Sequence, residues 1–92
     1  MKILESDVKA AIRRYIKTVP KCKMVSYNPY PTGEPGTPDF IGSWGGRSFL
    51  IEVKAPGKKL SPIQRIRRQE WEATGALVLV ADNVNIVKEV IK

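Results

Sequence analysis

Apolar side chains at Leu4, Val8, Ala11, Ile12, Tyr15, Ile16 and Val19 recur at steps of three and four until Pro20. That period predicts an amphipathic helix closed by proline. Lys9, Arg13 and Lys17 fall on the opposite arc and read as a solvated charged stripe. Glu5 is the exception. At about 100° per residue it lies inside the arc of Leu4, Val8, Ile12 and Ile16, which leans a carboxylate toward the core side.

Cys22 to Tyr27 is short and β-prone, and Asn28 to Pro38 carries Pro29, Pro31, Gly33, Pro35, Gly36 and Pro38, which predicts a loop. Phe40-Ile41 restarts an extended segment, Trp44-Gly45-Gly46 supplies a tight turn, and Arg47 to Lys54 reads as the returning arm of a hairpin. Ala55 to Leu60 is a basic loop. Ser61-Pro62 then has the form of an N-cap followed by proline at the first helical position, with Gly75 as the stop. Ala76 to Ala81 predicts a buried strand, and Asn83 to Ile91 a final helix capped by Asp82 or Asn83. The expected order is α-β-β-β-α-β-α within one domain over residues 1–92, without internal repeats or low-complexity tracts.

Composition narrows the chemistry. Sixteen Lys and Arg against nine Asp and Glu give a formal charge of +7, which favours a polyanionic partner, nucleic acid first. There is no histidine, so His-ligated zinc and imidazole-based nucleophilic catalysis are excluded. The lone Cys22 can form neither an internal disulfide nor a cysteine-rich zinc site, which fits a cytoplasmic setting. Glu5 and Asp7 interrupt any signal-like apolar start, and the longest strongly apolar run, Ala76 to Ala81, is too short to span a bilayer, so a soluble protein without a membrane partner is expected. Gly57-Lys58 is followed by Lys59 and lacks the upstream glycine of a Walker A loop, which argues against nucleotide hydrolysis.

The chemistry-bearing positions are Asp39, Glu52 and Lys54. Glu52 and Lys54 are two apart on one strand and project from the same face. Alone they read as an ion pair at a strand end. Asp39 changes that, because closing the hairpin around Trp44 to Gly46 brings it near Glu52. Two carboxylates beside a lysine suit a hard divalent cation such as Mg²⁺, which takes oxygen ligands and needs neither histidine nor cysteine. Such an ion activates water and neutralises phosphoryl charge, while Lys54 would orient the water or stabilise growing negative charge.

Pro38-Asp39, followed by Glu52-Val53-Lys54, resembles the PD-(D/E)xK nuclease signature. Gly36-Thr37-Pro38-Asp39-Phe40, Phe49 to Lys54 and Lys59-Leu60-Ser61-Pro62-Ile63-Gln64 together resemble the virus-type replication and repair nuclease domain, VRR-NUC. The resemblance implies a restriction-endonuclease-like αβββαβ core, a central mixed sheet flanked by helices. It implies Asp39, Glu52 and the Val53 carbonyl as ligands of Mg²⁺ or Mn²⁺, and Lys54 as the catalytic lysine. It also puts Gln64 near the active site and matches Glu5 to an acidic residue on the first helix. Read from the residues alone, Gln64 is a solvent-facing helix position and Glu5 stabilises a helix start. The stand-alone form implies a bacteriophage or bacterial enzyme, a homodimer, and cleavage of branched DNA such as Holliday junctions in repair, recombination or replication. A dimer would hold two sites in fixed relation.

Six cations and no acid lie between Lys54 and Arg68. Lys58, Lys59, Arg65 and Arg68 are the expected DNA-backbone contacts, and with the first-helix lysines and arginines they form a footprint able to hold DNA with salt-dependent affinity. Trp44 and Trp71 read as packing residues rather than base-stacking platforms. A competing assignment is a non-catalytic basic nucleic-acid-binding module whose acidic pair is structural. A basic surface that meets an acidic protein is another.

Overall fold

A computed structural model of the chain describes residues 2–27 and 33–92. Its elements are α1 (Glu5–Ile16), β1 (Cys22–Ser26), β2 (Phe40–Trp44), β3 (Arg47–Val53), α2 (Pro62–Ala73), β4 (Leu77–Ala81) and α3 (Val84–Lys88), in the expected order. The four strands form one mixed sheet in the order β1-β2-β3-β4. β1, β2 and β3 pair antiparallel, and β3 pairs parallel with β4 across the connection that contains α2. Gly45 and Gly46 both take positive φ (56° and 89°), as a two-residue turn matched to strand twist requires.

Strand alternation divides the sheet into two faces. Phe40, Phe49, Ile51, Val53 and Ala81 point to one side and meet Val8, Ile12, Ile16, Val87 and Ile91 in the core beneath α1 and α3. Leu50, Glu52 and Val78 have the opposite parity, are buried, and lie on the side covered by α2, which packs on β4. Glu52 is therefore a core-depth carboxylate facing the start of α2.

Two boundaries differ from expectation. α1 ends at Ile16, and Val19 reaches the core from a following turn in which its N–H donates to the Ile16 carbonyl. α3 is only five residues, capped by Asn83, and does not extend to Ile91. Ile91 is fully buried, and its carbonyl accepts from Tyr15 Oη at 2.6 Å, so the chain turns at Glu89 to seat it. The part of the expected loop at residues 28–32 lies outside the described residues. No helix among those described is long and apolar enough to cross a membrane.

Candidate functional site

The site forms where the hairpin opens, away from its turn. The ladder of β2 and β3 ends at Phe40 opposite Ile51, so the register carries Asp39 toward Glu52 and Pro38 toward Val53. Proline has no N–H to continue the ladder. The Asp39 side chain takes over: its Oδ2 accepts from the Val53 N–H at 2.8 Å, which fixes the carboxylate at the strand end. The Asp39 carbonyl accepts from the Tyr27 N–H at 2.8 Å, tying the same residue to the end of β1. Lys54 is held from the other side, its N–H donating to the Ala81 carbonyl at 3.0 Å.

Gln64 is brought to Glu52 by the cap of α2. Ser61 Oγ accepts from the Gln64 N–H at 3.3 Å, and Gln64 Oε1 accepts from the Ser61 N–H at 2.9 Å, a reciprocal capping box. With its oxygen so engaged, the amide turns Nε2 outward to donate to Glu52 Oε1. Glu52 is 5% exposed, and its other oxygen, Oε2, is buried without a hydrogen-bond partner among the described residues. Burial pushes the Glu52 carboxyl up to about 8, and the neighbouring Asp39 carboxylate pushes the same way. Lys54 offsets part of this, while Glu5 adds slightly to it.

Lys9 contradicts the solvated-stripe expectation. Its ammonium lies 3.4 Å from both Asp39 Oδ1 and Glu5 Oε2. Partial burial alone would lower its pKa, but the Asp39 and Glu5 carboxylates outweigh that and hold it above the ordinary lysine value. Glu5 was expected to lean into the core; its side chain is instead 44% exposed and approaches Asp39 through Lys9. Glu5 and Lys9 pair at i,i+4 spacing along α1, whereas the reach of Lys9 to Asp39 needs the packing of α1 on the sheet.

The basic residues divide unevenly. Lys58, Lys59 and Arg65 are exposed, with one Arg65 N–H donated to the Leu60 carbonyl at 3.1 Å. Arg68, expected as a DNA contact, is paired with Glu72 at 3.4 Å. Arg67 joins Glu34, Glu70 and the Pro35 carbonyl, clamping the loop that leads to Asp39 onto α2. That clamp had no sequence signal, because its partners lie on separate segments. Trp44 packs against the core as expected.

No group of three or more His, Cys, Asp and Glu side chains suited to a metal occurs among the described residues. The donor set is thus a pair, Asp39 and Glu52, and a hard cation needs only one or two carboxylates. The fit rests on Glu52 Oε2. A buried, unpartnered carboxylate oxygen beside a second carboxylate is costly unless a proton or cation meets it.

The VRR-NUC domain model matches residues 1–84 of the chain. No curated protein matches it. A solved structure described as a VRR_NUC domain protein superposes with a TM-score of 0.78 at 18% identity, covering 98% of this chain and 86% of its own. Another, described as a VRR_NUC domain, gives 0.75 at 22% identity, covering 92% and 90%. These two likenesses establish the shared fold, a mixed sheet flanked by helices. With the family model spanning nearly all of the sequence, this chain belongs to the VRR-NUC family of nuclease-type domains.

Proposed function

We propose that the protein is a Mg²⁺- or Mn²⁺-dependent endonuclease that hydrolyses DNA phosphodiester bonds. Branched DNA such as a four-way junction is the proposed substrate, and a homodimer in the cytoplasm of a bacterial or phage-infected cell the working form. The observation that carries the reading is Glu52, a buried carboxylate with one oxygen held by Gln64 and the other, beside Asp39, without a partner among the described residues. Members of the family generally use a divalent metal. Branch selectivity and dimerisation rest on the family resemblance alone.

Asp39, Glu52 and the Val53 carbonyl would hold the ion. When bound, a hard divalent cation supplies charge neutralisation at the phosphate and activation of water. The chain's own residues do the remainder. The Val53 N–H and Lys9 keep Asp39 from rotating away. Gln64 fixes one oxygen of Glu52 and leaves the other presented. Lys54 orients the attacking water and stabilises negative charge that grows on the phosphoryl oxygens. Lys58, Lys59 and Arg65 attract the DNA backbone.

The direct test is cleavage of labelled four-way junction, flap and linear duplex DNA with Mg²⁺, Mn²⁺ or EDTA. Metal-dependent cutting of the junction is expected. A junction that is bound but left intact under every metal would instead favour the basic binding-module reading.

Two substitutions probe the supporting groups. Gln64→Glu retains the capping-box acceptor, so the melting temperature should stay within a few degrees. It replaces the donor to Glu52 with a third carboxylate, so cleavage should fall roughly 10- to 100-fold. Equal losses in stability and activity would make Gln64 a helix-cap residue only. Lys9→Met removes a positive charge beside Asp39 and should tighten Mn²⁺ binding several-fold by calorimetry. Weaker binding would show that Lys9 orients Asp39 more than it repels the ion.

A further inference from the structure

The second half of α1 faces β1 across an open groove of about 180 Å³. Its lining includes three cations, Arg13, Lys17 and Lys23, and no carboxylate, over a floor that contains Met24 and Phe40. None of the three cations has an acidic partner among the described residues, whereas Arg67 and Arg68 on α2 are both paired to glutamates. The Arg13 guanidinium is held 5.2 Å above the Phe40 ring centroid and donates to Ser26 Oγ at 3.4 Å, so its position is set by the groove itself. The groove adjoins the acidic site: Phe40 follows Asp39, and Lys9, one helical turn before Arg13, touches Asp39. Lys9 and Arg13 on α1 and Lys17 at its C-cap are four residues apart, about 6 Å of helix rise per step.

We propose that this α1–β1 groove seats the sugar-phosphate backbone of the DNA strand that flanks the cleaved bond. The inference rests on the nuclease reading and gives it a second contact surface, separate from the Lys58-Lys59 loop. Arg13 and Lys17 meet phosphate oxygens along the rim. Half-buried Met24 presents an apolar floor that suits deoxyribose. Sequence preference is not expected, because every contact is to the backbone.

The test uses the full chain carrying Glu52→Gln, so that DNA is bound without being cut. Affinity for a labelled four-way junction is followed by fluorescence anisotropy across a salt series. Adding Arg13→Gln with Lys17→Gln should weaken binding roughly 10-fold or more and flatten the log–log salt slope by about 2. Lys88→Gln with Lys92→Gln removes the same charge from α3 and the C-terminus and should have a much smaller effect. Cys22 also lines the groove, so saturating DNA should slow its labelling by a maleimide. Equal effects from the two pairs, or unprotected Cys22, would overturn the groove assignment. Cleavage by the unaltered chain is measured alongside. Cutting without groove dependence rejects the groove alone; groove dependence without any cutting retains the groove and rejects the nuclease reading.

Discussion

Glu52→Gln should remove metal-dependent cleavage, by roughly 10³-fold or more, while making the metal-free protein more stable at alkaline pH. Both effects come from the same buried oxygen pair. A divalent ion is worth several kcal/mol at a phosphoryl centre, and each 1.36 kcal/mol is about tenfold in rate. Glutamine keeps the shape and an acceptor for Gln64 but not the charge that holds the ion. The stability effect follows from linkage. In the fold, burial first, and then the neighbouring Asp39, push the Glu52 carboxyl up to about 8 from an ordinary value of 4.5. Between those values the folded state holds a proton that the unfolded chain has released, so wild-type stability declines as pH rises through that window. Above about 8 both states are ionised, and the destabilisation is fully present. Glutamine has no proton to lose, so the variant should melt higher than wild type at alkaline pH and show a flatter profile between pH 5 and 8. Mg²⁺ or Mn²⁺ requires the ionised carboxylate, so binding to wild type should tighten up to about pH 8 and release a proton, detectable by calorimetry in buffers of different ionisation enthalpy. A variant that cuts DNA normally, or melts lower than wild type at every pH, would remove Glu52 from the proposed metal site.

Gly42→Ala should destabilise the fold by about 3 kcal/mol, a drop of roughly 10–25 °C in melting temperature for a domain of this size. Gly42 is at the middle of β2, opposite Met24 on β1 and Phe49 on β3. A Cβ there would clash with the Lys23 backbone carbonyl and with the tip of the Phe49 ring. The ring could turn, but the carbonyl belongs to the β1–β2 ladder and cannot move without opening the sheet. Local preference predicts the opposite sign, because alanine loses less backbone entropy than glycine on folding. Urea unfolding separates the two. Destabilisation below about 1 kcal/mol, or a gain, would mean that β1 and β2 do not approach as closely here as the structure requires.

Much of the fold is written into the chain as periodicity and punctuation. The spacing from Leu4 to Val19 specifies an amphipathic α1, Gly45-Gly46 specifies the hairpin turn, and Ser61-Pro62 specifies the start of α2. Alternation and the hairpin register bring Asp39 toward Glu52, which is why the acidic pair is legible in the sequence. The end of α3 was not legible, because Val90 and Ile91 continue an apolar pattern while the Tyr15 hydroxyl and the core decide where the chain turns.

The sequence by itself determined the order of elements, the charge surplus, the absence of histidine chemistry, and the residues able to meet a hard cation. Tertiary structure alone decided how those residues are tuned. It turned Lys9 from an apparent surface cation into a partner of Asp39, turned Gln64 toward Glu52, neutralised Arg67 and Arg68 with glutamates, and left Arg13 and Lys17 beside β1 without acidic partners among the described residues. Helical and strand periods assign a side chain to a face. What stands across from that face, and whether it is water, a carboxylate or a second cation, depends on segments far apart in the chain, and burial together with that neighbour sets the charge and function of the group.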